Sequence, residues 1–230
     1  MARTVMIYRE LPIESGISTT TIIALHEHGD DLDQLEPLCH TLEQSLHVVV
    51  PQASRPVNPR LILDQPEEYR GYAWYFTHGV GYPEPATFGD CLWQVEQCVY
   101  DVLDRQSVEC PLFLLGYDQG AVLAVTMAGV VPQSLAGVAA ICGYLPEIAG
   151  WSLPVENVGG LPVLLLHDPQ DAEIPTALVQ KTAEELERRS AAVEMREVPG
   201  ARRNPLAAAR VLRDWLGVRR GQSSPEEPGR

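Results

Sequence analysis

The stretch LFLLGYDQGAVLAV, residues 112–125, constrains the fold more than any other part of the sequence. A short, continuously apolar run is typical of a strand buried on both faces, and the small-residue run that follows fits a helix. Gly116 and Gly120 each lie two residues from Asp118, and glycine permits turns too tight for other residues. The pattern predicts a sharp strand–turn–helix unit that raises the Asp118 side chain above a sheet.

Similar apolar runs alternate with helical patterns along the rest of the chain. Strands are predicted at residues 4–9, 20–25, 47–50, 111–115, 138–142, 162–166 and 193–198. Helices are predicted near residues 31–46, 88–105, 120–131, 175–190 and 205–216. Because strands and helices alternate, we expect a doubly wound α/β fold with a mostly parallel sheet and helices on both faces.

The length of 230 residues suits one domain with a substantial core. We expect a single domain over residues 1–216 and a disordered tail over residues 217–230, which are polar and contain proline and glycine. Residues 51–86 show little periodicity and hold many prolines and aromatic residues. A long irregular connection of this kind usually lines a site or covers it.

Charge and cysteine usage limit the partners and the compartment. The net charge of −14 argues against nucleic acid or an anionic membrane as partner and favours solubility. The partner that we expect is a small-molecule ligand or substrate. No run approaches the roughly 18 apolar residues of a membrane span, and the first residues hold no apolar core that would predict a signal peptide. Five cysteines without CxxC spacing are typical of reduced thiols and predict a cytoplasmic protein.

The sequence His26-Glu27-His28, followed by Asp30 and Asp31, raises the question of a metal site. Alternation along an extended strand end would place both histidines on one side, and these residue types do bind metals. No confirming third ligand follows at a known spacing, and such histidines are more often hydrogen-bonded loop residues. We therefore expect neither a metal nor another cofactor.

Six segments together carry a resemblance that no single motif would support. They are IIALH at 22–26 with Gly29, PQA at 51–53 with YAWY at 72–75, GYDQG at 116–120, AGV at 136–138 through GYLP at 143–146, HDPQD at 167–171 with IP at 174–175, and PGARR at 199–203. In this order they resemble the α/β-hydrolase fold, and more narrowly the phospholipase/carboxylesterase (acyl-protein thioesterase-like) family, over residues 18–216. The chain is too short to hold a large cap domain inserted in the sheet. The resemblance implies a chain that could form a homodimer.

The resemblance also implies a catalytic triad, from which this sequence departs. Asp118 stands where the family has its serine nucleophile, and Arg202 or Arg203 stands where it has histidine. Glu27 replaces the first glycine of the oxyanion loop, whereas Asp171 matches the triad acid. Because position 118 has no hydroxyl and arginine stays protonated, we do not expect the acyl-serine mechanism.

Three interpretations remain open. Asp118 could be a covalent nucleophile, as in haloalkane dehalogenases and epoxide hydrolases, with His28 as the base. Asp118 could instead exchange a proton with a small molecule, with His28 as partner, in an elimination, isomerisation or cyclisation. Alternatively, an arginine between Asp118 and Asp171 could form an ion cluster that locks the site, in a noncatalytic binding or scaffold protein.

Of these, we favour acid–base catalysis by Asp118. Apolar walls that include Trp74 and Tyr75 would raise the pKa of the carboxyl by desolvation. The backbone N–H groups of Gln119 and His28 would still polarise a carbonyl group, because an oxyanion hole is made by the main chain.

The surroundings of Asp118 distinguish the interpretations. Tyr117 and Gln119 flank Asp118 and would orient it or contact a ligand. An open cleft in which Asp118 is free of Arg202 and Arg203 would favour catalysis. A closed cleft in which Asp118 is bridged to an arginine would favour the noncatalytic protein.

Overall fold

The computed structural model describes residues 6–11, 20–42, 45–57, 71–106 and 110–222, and the side chains up to residue 219. These residues form nine strands and five α-helices. The strands are β1 (Tyr8–Leu11), β2 (Thr20–Leu25), β3 (Leu46–Pro51), β4 (Arg55–Pro56), β5 (Tyr72–Ala73), β6 (Leu112–Tyr117), β7 (Gly137–Ile141), β8 (Pro162–His167) and β9 (Ala192–Glu197). The helices are α1 (Glu36–Leu42), α2 (Pro85–Arg105), α3 (Gln119–Met127), α4 (Thr176–Arg188) and α5 (Ala209–Gln222).

Seven strands form one sheet in the order β1-β3-β2-β6-β7-β8-β9. All neighbours in it are parallel except β1, which pairs antiparallel with β3. Every residue of β2, β6 and β7 is buried, which explains why these segments are continuously apolar rather than alternating. The mostly parallel sheet predicted from the sequence is confirmed.

Helices cover both faces of this sheet. In β6, the ring of Phe113 packs against Trp215 of α5, with ring centroids 5.8 Å apart. Gly116 lies three positions later on the same strand and therefore faces the other side, where it approaches the Gly120 carbonyl of α3. α3 and α5 thus lie on opposite faces. α2 packs beside α3, and α1 packs beside α5.

Two helices differ most from the sequence prediction. The helix predicted over 31–46 is present only as α1, because Asp30 and Asp31 accept hydrogen bonds from backbone N–H groups one or two residues ahead and hold a turn instead. α5 continues to Gln222, past the predicted domain end and into the predicted tail. Its last turns are held by Arg219, which stacks on Trp215 and pairs with Glu194 of β9. Residues 223–230 lie outside the described residues.

The irregular segment predicted over 51–86 is described in part, since residues 58–70 lie outside the described ranges. β4 and β5 form a small antiparallel ladder, after which Trp74 and Tyr75 enter the core. Within the described ranges, no separate domain interrupts the sheet. None of the described helices combines the length and apolar character needed to cross a membrane.

Candidate functional site

Asp118 occupies the sharp turn between β6 and α3. Its backbone has φ 52° and ψ −114°, a conformation that residues with a side chain rarely adopt. A Cβ atom on Gly116 would collide with the Gly120 carbonyl, and one on Gly120 would collide with the Leu25 carbonyl. Only glycine fits at either position, so the two glycines allow the strand and helix to meet closely enough to expose the residue between them.

Beneath the turn lies a neutral, buried network that positions the neighbouring chain. The Gln119 side chain accepts a hydrogen bond from the Trp74 backbone N–H at 3.0 Å and donates one to the Tyr75 carbonyl at 2.9 Å. The Trp74 indole N–H donates to the His26 carbonyl at 2.9 Å. The Gln119 amide is therefore committed to the protein. Trp74 lies below the cleft rather than in its wall, which corrects the role predicted for it.

His26 belongs to the same network. Its Nε2 accepts from the Ala53 backbone N–H at 3.0 Å, so the ring proton sits on Nδ1 and is donated to the Glu27 carbonyl at 2.7 Å. Burial lowers the pKa of His26 to about 4, although the bond to the Glu27 carbonyl acts in the opposite direction. With both ring nitrogens engaged, this neutral histidine is not free to bind a metal. Among the described residues, no three His, Cys, Asp or Glu side chains are grouped to hold one.

Above the turn, one arginine side chain joins three carboxylates. Arg202 Nη1 donates to Asp118 Oδ1, and Nη2 donates to Glu173 Oε2. Arg202 Nε lies 3.9 Å from Asp171 Oδ2. Of the two candidate arginines, Arg202 is therefore the one that reaches Asp118. Arg203 is exposed on the turn beside it.

The backbone of Arg202 is fixed by two groups below it. Asp168 Oδ2 accepts from the backbone N–H groups of Gly200 at 3.0 Å and Arg202 at 3.3 Å. The Tyr117 hydroxyl donates to the Arg202 carbonyl at 2.7 Å, and burial raises the pKa of that phenol. Tyr117 thus holds the arginine turn. Asp168 was missed by sequence reasoning, although it lies in the HDPQD segment that contains Asp171.

The Asp118 and Asp171 carboxylates differ in how many of their oxygens accept a hydrogen bond. Asp118 Oδ2 accepts from the His28 backbone N–H at 3.3 Å, so both of its oxygens have a partner. Asp171 Oδ1 accepts from the backbone N–H groups of Glu173 and Ile174 at 2.8 and 3.0 Å. Asp171 Oδ2 has no hydrogen bond, although its side chain is only 2% exposed. Burying a carboxylate oxygen without a donor costs free energy, so this atom lowers the stability of the folded chain.

A cleft of about 440 Å³ opens above Asp118. Its walls bring Glu27, His28, Tyr75, Thr77, Gly79, Val80, Gln119, Val122, Tyr144, Glu173, Ile174 and Arg202 around the turn. His28 is exposed there, and it reaches Asp118 through its backbone rather than its ring. Tyr144 and Glu173 were not among the predicted site residues. A second cavity of about 550 Å³ lies across Val80, between the same loop and α4.

Two tyrosines and one glutamate that line the cleft have raised pKa values. Burial raises the pKa of Tyr75 and Tyr144, and the Asp118 carboxylate adds to both shifts. Burial also raises the pKa of Glu27 to about 7, with Asp118 and Asp30 contributing and Arg202 acting in the opposite direction. The Gln34 amide holds Glu27 in place, since it accepts from the Glu27 backbone N–H and donates to Oε1. Glu27 therefore changes charge near neutral pH.

The profile of the phospholipase/carboxylesterase family matches residues 13–206. No curated protein matches the sequence.

Several solved structures with a similar fold are described as carboxylesterases. A carboxylesterase from Mesorhizobium loti is similar at a TM-score of 0.75 and 19% identity, over 94% of this chain and 99% of that one. A carboxylesterase from Bacillus cereus gives a TM-score of 0.73 at 13% identity, over 93% and 94% of the two chains. A phospholipase/carboxylesterase from Dyadobacter fermentans gives 0.63 at 19% identity, over 87% and 90%. The chain has the α/β-hydrolase fold and belongs to the phospholipase/carboxylesterase family.

Proposed function

We propose that this member of the family binds a small molecule in the cleft above Asp118 and does not hydrolyse acyl esters. One observation carries the proposal: the Arg202 guanidinium donates a hydrogen bond to Asp118. Ester hydrolysis by a serine needs an imidazole hydrogen-bonded to a hydroxyl in that place. Burial works against the charged form of Arg202, but Asp118, Glu173 and Asp171 outweigh it and raise its pKa. Arg202 therefore stays protonated and cannot act as a base.

The second support comes from the main chain at the turn. In an acyl transfer, the backbone N–H groups of His28 and Gln119 would stabilise the developing oxyanion. The Asp118 carboxylate already accepts from the His28 N–H, so a negatively charged group of the protein occupies half of that position. A substrate oxyanion there would meet the charge of Asp118 rather than an open pair of donors.

The cleft itself supports binding rather than a closed scaffold. Asp118 is bridged to arginine, as expected for a noncatalytic protein, yet a cavity of about 440 Å³ stays open above it. That volume lies within the range of small-molecule sites, roughly 300–1,000 Å³. The bridge also argues against our sequence-based preference for Asp118 as acid or base, since both of its oxygens are already engaged.

A second candidate function is acid–base catalysis by Glu27 in place of Asp118. It is favoured by the pKa of about 7, which lets the Glu27 carboxyl accept and release a proton near neutral pH. Glu27 lines the cleft, and Gln34 fixes its position. This candidate needs the same bound small molecule as the first, so binding is the property to test first.

The test combines ester hydrolysis with ligand detection. We expect wild-type protein to give no burst and no turnover with p-nitrophenyl acetate or butyrate, and no labelling by a fluorophosphonate. We expect fragments to shift the amide resonances of His28 and Gln119 in a heteronuclear NMR screen. The Asp118→Ser/Arg202→His double variant restores two triad groups and is the positive control for ester turnover.

Surviving hydrolysis or an unoccupied cleft would contradict the proposal, and a covalent adduct would add a reaction to it. Ester turnover by wild-type protein that Asp118→Asn abolishes would show that hydrolysis survives. A covalent adduct on Asp118 after incubation with an alkyl halide or epoxide, detected by peptide mass spectrometry, would establish the carboxylate as a nucleophile. A fragment screen that leaves His28 and Gln119 unshifted would show that the cleft is not a binding site.

A further inference from the structure

We infer that the ligand of this cleft is a protonated amine, which takes the place of Arg202 on Asp118 while the Arg202 side chain turns to Asp171. The inference rests on the proposed ligand-binding function and names the chemical class of the ligand. It also assigns Arg202 a role as a displaceable internal cation.

The charge balance of the site favours a cation. Three carboxyl groups, those of Glu27, Asp171 and Glu173, lie around Asp118, and Arg202 is the guanidinium among them. The chain as a whole carries a net charge of −14. A ligand with a positive charge would be attracted to this cleft, whereas a carboxylate would meet a surplus of negative charge.

Asp171 supplies an observation independent of that charge count. Its Oδ2 atom is buried, has no hydrogen bond and faces Arg202, whose Nε lies 3.9 Å away. That distance is too long for a hydrogen bond but short enough for a change of side-chain torsion to close. Arg202, which also pairs with Glu173, therefore has a further carboxylate to bind when it leaves Asp118. Its move satisfies an atom of Asp171 that lacks a donor in the present arrangement.

The backbone around Arg202 restricts the change to the side chain. Asp168 holds the Arg202 N–H, and the Tyr117 hydroxyl holds its carbonyl. The opposite side of the pair is equally fixed, because the His28 N–H holds Asp118 Oδ2. When Arg202 turns away, Asp118 Oδ1 is left as an acceptor at the floor of an open cleft.

An ammonium group fits the acceptors that become available. It offers three N–H donors, two of which Asp118 Oδ1 and the carboxyl of Glu27 in the same cleft can accept. Tyr75 and Tyr144 line the cleft as well, and aromatic rings add a favourable interaction with a cation. A neutral alcohol of the same shape would lack the charge interaction with Asp118. It would therefore not displace Arg202 from that carboxylate.

The experiment titrates three probes of matched shape into the full chain: benzylamine, benzyl alcohol and benzoate, each followed by calorimetry and by NMR. We expect benzylamine to bind at least about tenfold more tightly than either other probe, and more weakly as salt is added. We expect the Arg202 Nε–Hε resonance, assigned with Arg202→Lys, to shift when benzylamine binds. Asp118→Asn should abolish the preference for the amine.

A separate substitution tests whether Arg202 is displaced. Asp171→Asn keeps an oxygen for the Glu173 and Ile174 N–H groups but removes the charge that would receive Arg202, so we expect benzylamine affinity to fall about fivefold or more. Asp214→Asn makes the same chemical change on the exposed surface of α5 and should leave the affinity unchanged. Unaltered benzylamine affinity in folded Asp171→Asn would overturn the displacement.

The remaining outcomes separate this inference from the proposed function. Binding of benzyl alcohol or benzoate as tightly as benzylamine would overturn the amine class and leave small-molecule binding supported. Binding of none of the three would overturn the inference, while the ester assays and the fragment screen would decide the proposed function independently.

Discussion

The groups below the turn at Asp118 and those above it differ in kind. Below it, Gly116, Gly120, His26, Gln119 and Trp74 form a buried and neutral network whose polar atoms are paired. Above it, one guanidinium and several carboxyl groups meet at the mouth of a cleft, and one carboxylate oxygen has no hydrogen bond. We call these two regions the scaffold and the tip.

The difference shows that the backbone geometry of the turn does not depend on which side chains stand at the tip. The turn needs two positions without a Cβ atom, together with neutral hydrogen bonds from Gln119 and His26. None of these groups carries charge, and the side-chain partners of Arg202 are carboxylates instead. The residues of the tip can therefore change from hydroxyl and imidazole to carboxylate and guanidinium while the α/β-hydrolase fold stays the same.

The largest expected effect is in the scaffold, at Gly120. Gly120→Ala places a Cβ atom against the backbone of β2, which cannot move without disturbing the sheet, so we expect a loss of more than about 4 kcal/mol in the free energy of unfolding. Gly89→Ala is the matched control in α2, where a Cβ atom meets nothing; there we expect a gain of about 0.5–1 kcal/mol. Urea unfolding measures both. A Gly120→Ala protein as stable as wild type would show that the close approach is not required.

The next effect is at Gln119, also in the scaffold. Gln119→Leu leaves the Trp74 N–H and the Tyr75 carbonyl buried without partners, and we expect a loss of about 2–4 kcal/mol in unfolding free energy. Gln94→Leu removes a glutamine whose hydrogen bond to Asp90 is exposed on α2, and the change there should stay within about 0.5 kcal/mol. Equal effects in the two variants would contradict the distinction between a buried and an exposed amide.

In the tip, removal of the cation should cost less than Gly120→Ala and no more than Gln119→Leu. Arg202→Met leaves Asp118 and Asp171 without their counter-ion, and we expect a loss of about 2–3 kcal/mol at neutral pH, because the site is partly solvated. Arg203→Met is the matched control on the same turn, with an expected change below about 0.5 kcal/mol. A double-mutant cycle with Asp118→Asn should recover part of the loss. Additive losses would show that the two side chains are not coupled.

The scaffold was the more predictable region, because its signals are local. Apolar runs identified the strands that carry the site; β2 was predicted with its observed bounds, and β6 to within a few residues. The glycine spacing predicted the turn at Asp118. The end of α5 was not predictable in this way, because Arg219 is held by Glu194 from a strand distant in sequence.

The tip was predicted as a set of residues but not as an arrangement. Asp118 and Asp171 were identified by the resemblance, yet the choice between Arg202 and Arg203 depends on Asp168 and Tyr117, which fix the direction of the turn. The bridge from Arg202 to Asp118 likewise depends on side-chain direction. Burial is set by the whole fold, and for this reason the altered pKa of Glu27 and the position of Trp74 below the cleft could not be predicted from the sequence.

The smallest effect concerns Glu27, at the boundary between scaffold and tip. Burial favours the neutral carboxyl and raises its pKa from 4.5 to about 7. Because the folded-state pKa is the higher one, the stability that it contributes is complete below about pH 4.5 and is lost as the pH rises through about 7. Solvent reaches part of this side chain, so we expect the loss to be only about 1–2 kcal/mol.

Glu27→Gln tests this directly, because its carbonyl oxygen can still accept from Gln34 while the titrating group is removed. We expect the variant and wild type to unfold with similar free energies near pH 5, and the variant to be more stable by about 1–2 kcal/mol near pH 8.5. Urea unfolding across that pH range is the measurement, with the exposed Glu184→Gln as a control whose pH profile should parallel wild type. A Glu27→Gln profile that also parallels wild type would mean that Glu27 is already charged at pH 5. The charge of the cleft would then be fixed across neutral pH, and Glu27 could not serve as its acid or base.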